Sequence, residues 1–211
     1  MYAVLKNITI KQVRWIFLAL VVGMTAIYAY SILSKRVTVL MEPQDQAWGQ
    51  ADIGGPFSLQ DHQGQTRTHK DFLGKKSIFY FGYAYCPDIC PMGLHRLTDA
   101  LNRMGKKAQA FQPVFVTVDP QRDTPKELKA FLQQFHASFI GLTGSSQDIE
   151  SIKKAFKVYA VKQGGHGTGE NYIMDHSSIF YVMDESGVFL GHFTHATSSE
   201  EMEKLLKRWA E

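Results

Sequence analysis

The sequence is poor in cysteine, and its acidic residues are unevenly distributed. Two of the 211 residues are cysteine, which excludes a small domain held together by several disulfides. Residues 1–41 contain no acidic side chain but 5 of the 23 basic ones, so residues 42–211 carry 18 basic against 20 acidic side chains. The formal charge of +3 therefore comes from the N-terminal segment. Because the rest of the chain lacks the basic stripe that a phosphate backbone requires, we expect no nucleic-acid partner.

One long run lacks charge altogether. Residues 15–33 read WIFLALVVGMTAIYAYSIL, and a helix of these 19 residues rises about 28 Å, enough to span a bilayer core. A cleaved signal peptide is the alternative, but the run is longer than the apolar region of a signal peptide, and no small-x-small cleavage site follows it. The sequence thus predicts an uncleaved transmembrane anchor over 15–33. The basic residues before it place residues 1–14 in the cytoplasm.

The remaining chain is predicted to form a tether and one domain outside the cytoplasm. Residues 34–52 are polar and without periodicity, and residues 53–211 alternate short apolar runs with amphipathic stretches. We expect the domain in the bacterial periplasm, with the anchor in the inner membrane, or in the mitochondrial intermembrane space, where thiols can be oxidised. The element order predicts a thioredoxin-like α/β sandwich, a central mixed sheet with helices on both faces. Strands are predicted over 56–59, 65–68, 77–83, 113–118, 178–183 and 188–193, and helices over 92–104, 124–136, 147–156 and from 198 onward.

The two cysteines lie between a predicted strand and a predicted helix. Cys86 and Cys90 stand in YCPDICP, and Pro91 at the first helical position would make Cys90 the N-cap. Both sulfurs would then lie near the positive end of the helix dipole, which favours thiolates. Three interpretations remain open: a structural disulfide, which would close a very short loop; a catalytic redox pair that forms a Cys86–Cys90 disulfide; and a metal site. The spacing of three residues favours the metal site, and soft thiolates favour Cu(I).

A metal site needs a third ligand, and the absence of proline from residues 126–211 indicates one. Thioredoxins place a cis-proline before the first strand of the terminal hairpin, facing the cysteines. Here Asp175-His176-Ser177 stands at that place, so His176 is predicted to face the cysteines, with Asp175 or a backbone carbonyl behind it. Such a Cys2His site suits Cu(I) and accepts Cu(II) with a further oxygen ligand. A fourth ligand for structural zinc is not evident. Weaker ligand candidates are Asp88 and Met92, whereas His95, five residues past Cys90, is expected to point to a different side of the helix.

Three stretches together resemble the Sco (SenC) family, the copper-binding assembly factors of cytochrome c oxidase. They are FGYAYCPDICP at 81–91, TVDPQRDTP at 117–125 and DHS at 175–177. The resemblance implies one copper ion per domain, bound by Cys86, Cys90 and His176. It also implies a role in building the binuclear copper centre of oxidase subunit II, by copper delivery, by reduction of that subunit's cysteines, or both. We expect Asp119 and Asp123 to have a supporting role, since residues 119–125 also end a strand and start a helix.

Other functions are compatible with the same residues. The main alternative is a membrane-tethered thiol–disulfide oxidoreductase without an essential metal, and a peroxidase would need an arginine near Cys86 that the sequence does not reveal. The partner could also be another periplasmic copper or thiol-redox protein. The glycine-rich segment 164–169 does not match a fixed family pattern, and His166 within it is considered as a transient copper ligand.

Overall fold

The computed structural model describes residues 14–15, 17–28, 30, 52–164 and 172–210. The chain divides into two units, Met1–Ala47 and Trp48–Glu211. In the first unit the described residues are helical, with exposed side chains, which agrees with the predicted helix. Among the described residues, no helix has the length and apolar character needed to cross a membrane. The C-terminal end of the predicted anchor, nearly all of the 34–52 tether, and His166 lie outside the described residues.

The second unit contains a seven-stranded mixed sheet and a separate two-stranded sheet. The strand order of the larger sheet is β2-β1-β5-β4-β3-β8-β9, and β6 pairs with β7 in the smaller one. β3, β4 and β5 run parallel to one another, whereas the outer pairings are antiparallel. The strands are β1 (Ser58–Asp61), β2 (Thr66–Thr68), β3 (Lys76–Gly82), β4 (Phe111–Thr117), β5 (Ile140–Thr143), β6 (Ala160–Gln163), β7 (Ile173–His176), β8 (Ile179–Met183) and β9 (Phe189–Thr194).

Helices cover both faces of this sheet, as the predicted sandwich requires. They are α1 (Ile89–Met104), α2 (Pro125–Leu132), α3 (Ser146–Ala155) and α4 (Ser199–Trp209). On one face the Tyr80 ring stacks on Phe180 of β8, with ring centroids 4.3 Å apart, and a side-chain carbon on Gly93 of α1 would lie 3.3 Å from the Phe180 ring. On the other face Phe79 packs against Phe156 at the end of α3, at 4.9 Å. β3 is therefore buried from both sides, which explains its continuous apolar sequence.

The structure corrects the predicted start of α1. The helix begins at Ile89 with Asp88 at the N-cap, so Cys90 is the second helical residue and not the N-cap. The Met92 N–H donates to the Asp88 carbonyl over 3.1 Å and closes the first turn early. Pro91 still fits there, because the N–H groups of a first turn have no partner within the helix.

Three strands were not predicted, and α2 ends at Leu132, before the expected His136. β5 contains Gly141, where a side-chain carbon would lie 2.6 Å from Leu132 of α2. Glycine is thus required for the close packing of helix on strand, and it interrupts the apolar pattern that would have revealed β5. β6 and β7 have largely exposed side chains and lack an apolar run.

Candidate metal centre

The cysteines lie where β3 ends and α1 begins, at the carboxyl edge of the central parallel strands. Cys90 is fully buried in the first turn of α1, whereas Cys86 in the preceding loop is half-buried. The Cys90 N–H donates to the Cys86 sulfur over 3.5 Å. Both thiols are free in the structure. Because Cys90 is enclosed and Cys86 is accessible, a second molecule would meet the Cys86 sulfur first.

His176 reaches the same place from the small sheet. It ends β7, and its Nε2 atom lies 3.3 Å from the Cys90 sulfur. Its Nδ1 atom lies 3.2 Å from the Ser177 carbonyl oxygen, which can accept a hydrogen bond only from a protonated Nδ1. That contact favours the tautomer whose Nε2 lone pair points toward the sulfurs.

The three predicted ligands converge on one point. The Cys86 sulfur, the Cys90 sulfur and a His176 ring nitrogen all lie within 4.8 Å of one another. Two soft thiolates and one imidazole form a donor set suited to Cu(I), and the half-buried position of Cys86 leaves one side of the site open to solvent.

The two thiols differ in acidity. Hydrogen bonds from the Cys90 thiol and from backbone N–H groups hold the pKa of Cys86 well below the usual value, although burial acts in the opposite direction. The Cys86 sulfur and burial raise the pKa of Cys90. The accessible sulfur is thus the better nucleophile, and it is also the better anionic ligand.

Two tyrosines form the walls around the imidazole. The rings of Tyr80 and Tyr83 meet the His176 ring edge-on, with centroids 6.3 Å and 5.8 Å away. Tyr80 belongs to β3 and Tyr83 to the loop that follows it. The His176 ring, at the end of β7, is therefore held against the strand that leads to Cys86. Sequence reasoning did not identify these tyrosines, because an aromatic residue at the end of a buried strand is ordinary core material.

Asp123 supports the loop that carries the cysteines. Its fully buried carboxylate accepts hydrogen bonds from the Ala84 N–H over 2.9 Å and the Thr117 hydroxyl over 2.6 Å. Its backbone carbonyl accepts a hydrogen bond from the Thr143 hydroxyl over 2.8 Å. Asp123 thereby joins the exit of β3 to β4 and β5. Burial raises the pKa of Asp123 to about 6.

Asp119 acts on the other side of the site. Its buried carboxylate accepts a hydrogen bond from the Tyr172 hydroxyl over 2.7 Å. It also forms an ion pair with the Arg122 guanidinium at 2.5 Å. Tyr172 lies just before β7, so this contact connects the end of β4 with the strand that carries His176. Asp175, in contrast, is exposed, and the Ser177 carbonyl is the group that contacts the His176 ring.

Arg122 is a further element of the site that the sequence reasoning missed. Its guanidinium carbon lies 3.6 Å from the centre of the Tyr172 ring and 5.2 Å from that of Tyr85. Its Nη1 atom donates to the Tyr172 carbonyl over 3.0 Å. One side chain therefore contacts both the loop before Cys86 and the segment before His176. His95, which was expected to point away from the cysteines, is exposed on α1 and packs against Phe135.

The chain is similar to known proteins over most of its length. The SCO1/SenC family model matches residues 45–211. The SCO2-like protein of Rickettsia felis is 38% identical over 199 residues, which cover 91% of this chain and 94% of that protein. The copper-bound structure of Bradyrhizobium japonicum ScoI is 38% identical with a TM-score of 0.69, over 74% of this chain and 99% of that one. The copper-bound structure of yeast Sco1 is also 38% identical, with a TM-score of 0.70, over 75% of this chain and 88% of that one. Because the family model covers the whole second unit, including both cysteines and the histidine, the chain belongs to the SCO1/SenC family.

Proposed function

We propose that this protein binds one copper ion per domain through Cys86, Cys90 and His176. The observation that carries the proposal is the convergence of these three ligand atoms within 4.8 Å. Copper-bound relatives with the same fold support the choice of metal. The thiolates favour Cu(I), and the open side of the site leaves space for the further oxygen ligand that Cu(II) requires.

The cellular role we propose is assembly of the binuclear copper centre of cytochrome c oxidase subunit II, or of a similar copper-site protein. Delivery of copper requires a ligand that a partner can reach, and Cys86 is the accessible member of the pair. Exposed apolar side chains flank it, including Tyr85 and Ile89, which are 57% and 38% exposed. Such side chains provide contact area for a partner protein beside the metal.

The domain is proposed to work at a membrane surface. In this arrangement residues 15–33 anchor the chain in the inner membrane, residues 1–14 remain in the cytoplasm, and 34–52 tether the domain 53–211. The domain then lies in the periplasm or the intermembrane space. Support comes from the uncharged run itself and from the helical conformation of its described residues.

Thiol–disulfide exchange is a second proposed activity, and the low pKa of Cys86 favours it. The Cys86 thiolate would attack one sulfur of a partner's disulfide and release the other as a thiolate. Cys90 would then lose its proton, attack the Cys86 sulfur and release the partner's second thiolate. The partner gains two electrons, and the Cys86–Cys90 pair loses two as it forms a disulfide.

An anaerobic Cu(I) titration against a competing chelator tests the copper site. We expect the full-length protein in detergent to bind one equivalent of Cu(I) tightly. Cys86→Ser, Cys90→Ser and His176→Ala should each bind at least about 100-fold more weakly, because substitution of residues that only hydrogen-bond to a metal ligand already costs about 10- to 100-fold in affinity. His95→Ala is the control, because His95 is exposed and contacts Phe135 instead. Binding that is indifferent to His176 would leave the oxidoreductase as the better account, in which the reduction potential of the cysteine pair is the property that matters.

A further inference from the structure

Tyr80 carries an unexplained polar group in the middle of the core. The residue is 0% exposed, and among the described residues its hydroxyl has no hydrogen-bond partner of regular geometry. A buried hydroxyl without a partner costs free energy, and phenylalanine would fill the same space without that cost. We therefore expect the Tyr80 hydroxyl to donate a hydrogen bond to a strong acceptor in another state of the protein.

The surroundings of the ring point to one acceptor, the Cys90 sulfur. A side-chain carbon built on Gly82 would lie 2.9 Å from the Cys90 sulfur and 3.0 Å from Cε1 of Tyr80, so the sulfur and the ring edge share one small space. Stacking on Phe180 fixes the plane of the ring.

The state in which the Cys90 sulfur accepts strongly is the metal-bound one. A neutral thiol is a weak acceptor, whereas a thiolate bound to copper carries negative charge. A hydrogen bond to a ligating sulfur withdraws electron density from it and thereby favours the lower oxidation state of the metal. Tyr80 and Cys90 are both fully buried, so solvent reaches neither the hydroxyl nor this sulfur.

We propose that Tyr80 is a positioning residue whose hydroxyl donates a hydrogen bond to the Cys90 sulfur when that sulfur binds copper, and so favours Cu(I) over Cu(II). The inference rests on the proposed function, since it concerns the same site. It adds a residue in β3 that contacts no metal but sets which oxidation state is retained.

The test compares full-length wild type, Tyr80→Phe and Tyr181→Phe in detergent. Tyr181 is also a buried tyrosine of the central sheet, but it packs against Phe81 and Phe156 on the opposite face, so its substitution controls for loss of a core hydroxyl. Cu(I) and Cu(II) affinities are measured with competing chelators, and the sulfur-to-Cu(II) charge-transfer absorption is recorded. We expect Tyr80→Phe to lower the ratio of Cu(I) to Cu(II) affinity by about tenfold and to move the band to longer wavelength.

Three outcomes would overturn the inference. The first is a Tyr80→Phe protein with the wild-type affinity ratio and band, and the second is an equal change in Tyr181→Phe. The third is a metal-free Tyr80→Phe protein that melts well below metal-free wild type, because the hydroxyl would then have a partner before copper binds. Wild type that shows neither copper binding nor a charge-transfer band would overturn the proposed function as well, which separates the two failures.

Discussion

Gly82 at the end of β3 leaves room for the Cys90 sulfur: a side-chain carbon on Gly82 would lie 2.9 Å from that sulfur. The same position lies 3.0 Å from ring carbons of both Tyr80 and Phe115. Real side-chain carbons almost never approach other atoms this closely, so the absence of a side chain at residue 82 makes the space in which the buried sulfur sits. A backbone feature of the strand thus determines where one of the proposed ligands can be.

We expect Gly82→Ala to displace the Cys90 sulfur and to weaken Cu(I) binding by about tenfold or more, together with a loss of stability of about 1–3 kcal/mol from overpacking. Chelator competition and thermal unfolding measure the two effects. Gly141→Ala is the matched control, because its added carbon would lie 2.6 Å from Leu132 and crowd the core away from the metal. Wild-type copper affinity in the Gly82 variant would contradict this account of the site.

Arg122 is expected to hold the two halves of the site together. In Arg122→Gln the buried Asp119 carboxylate loses its ion-pair partner, which should lower the free energy of unfolding by about 3 kcal/mol. Chemical denaturation measures this change. Arg67→Gln removes the ion pair with Asp61 in the distant β1–β2 hairpin, so both variants should lose stability, but only the Arg122 variant should lose copper affinity. Equal copper affinities in the two variants would contradict the bridging role.

The buried Asp123 predicts a pH dependence of stability. Burial raises its pKa from 3.8 to about 6, so the native state holds this proton more tightly than the unfolded state. The stabilisation is complete below the unfolded value near 3.8 and is lost as the pH rises through about 6. Asp123→Asn does not titrate. Between pH 4 and pH 8 its free energy of unfolding should therefore rise by about 3 kcal/mol at most relative to that of wild type. Denaturation curves at these two pH values measure the gain, and an unchanged difference between the proteins would contradict it.

The anchor proposal predicts the fractionation of the chain. Full-length protein should remain in the membrane pellet after extraction with alkaline carbonate, because an apolar span of 19 residues partitions into the bilayer core. A variant without residues 15–33 should appear in the supernatant. Release of the full-length protein by carbonate would show that the segment does not span the membrane.

The local signals in the sequence were strong enough to predict most of the domain. Thr124 and Pro125 marked the start of α2, Ser198 marked that of α4, and the missing proline directed attention to His176. β5 was missed because Gly141 serves a contact with α2 that only the tertiary structure reveals. The start of α1 was misplaced because proline is tolerated throughout a first turn, so Pro91 alone does not locate the N-cap.

The proposed ligands could be named from the sequence, whereas their surroundings could not. Cys86, Cys90 and His176 are residue types with few structural uses at those positions, which makes them visible in a single sequence. Tyr80, Tyr83 and Arg122 are not visible, because their importance comes from what they contact across β4 and β7. Asp123 was seen as part of the TVDPQRDTP stretch, but its contact with Ala84 required the structure.

X-ray absorption at the copper edge of the Cu(I)-loaded protein tests the central claim most directly, because it counts the ligands. The account predicts two sulfur ligands at about 2.2–2.3 Å and one nitrogen at about 2.0 Å in wild type, the usual lengths of metal–thiolate and metal–imidazole bonds. In His176→Ala the nitrogen contribution should disappear while both sulfurs remain. A nitrogen that persists in this variant, or a wild-type spectrum with sulfur alone, would contradict a site built from Cys86, Cys90 and His176.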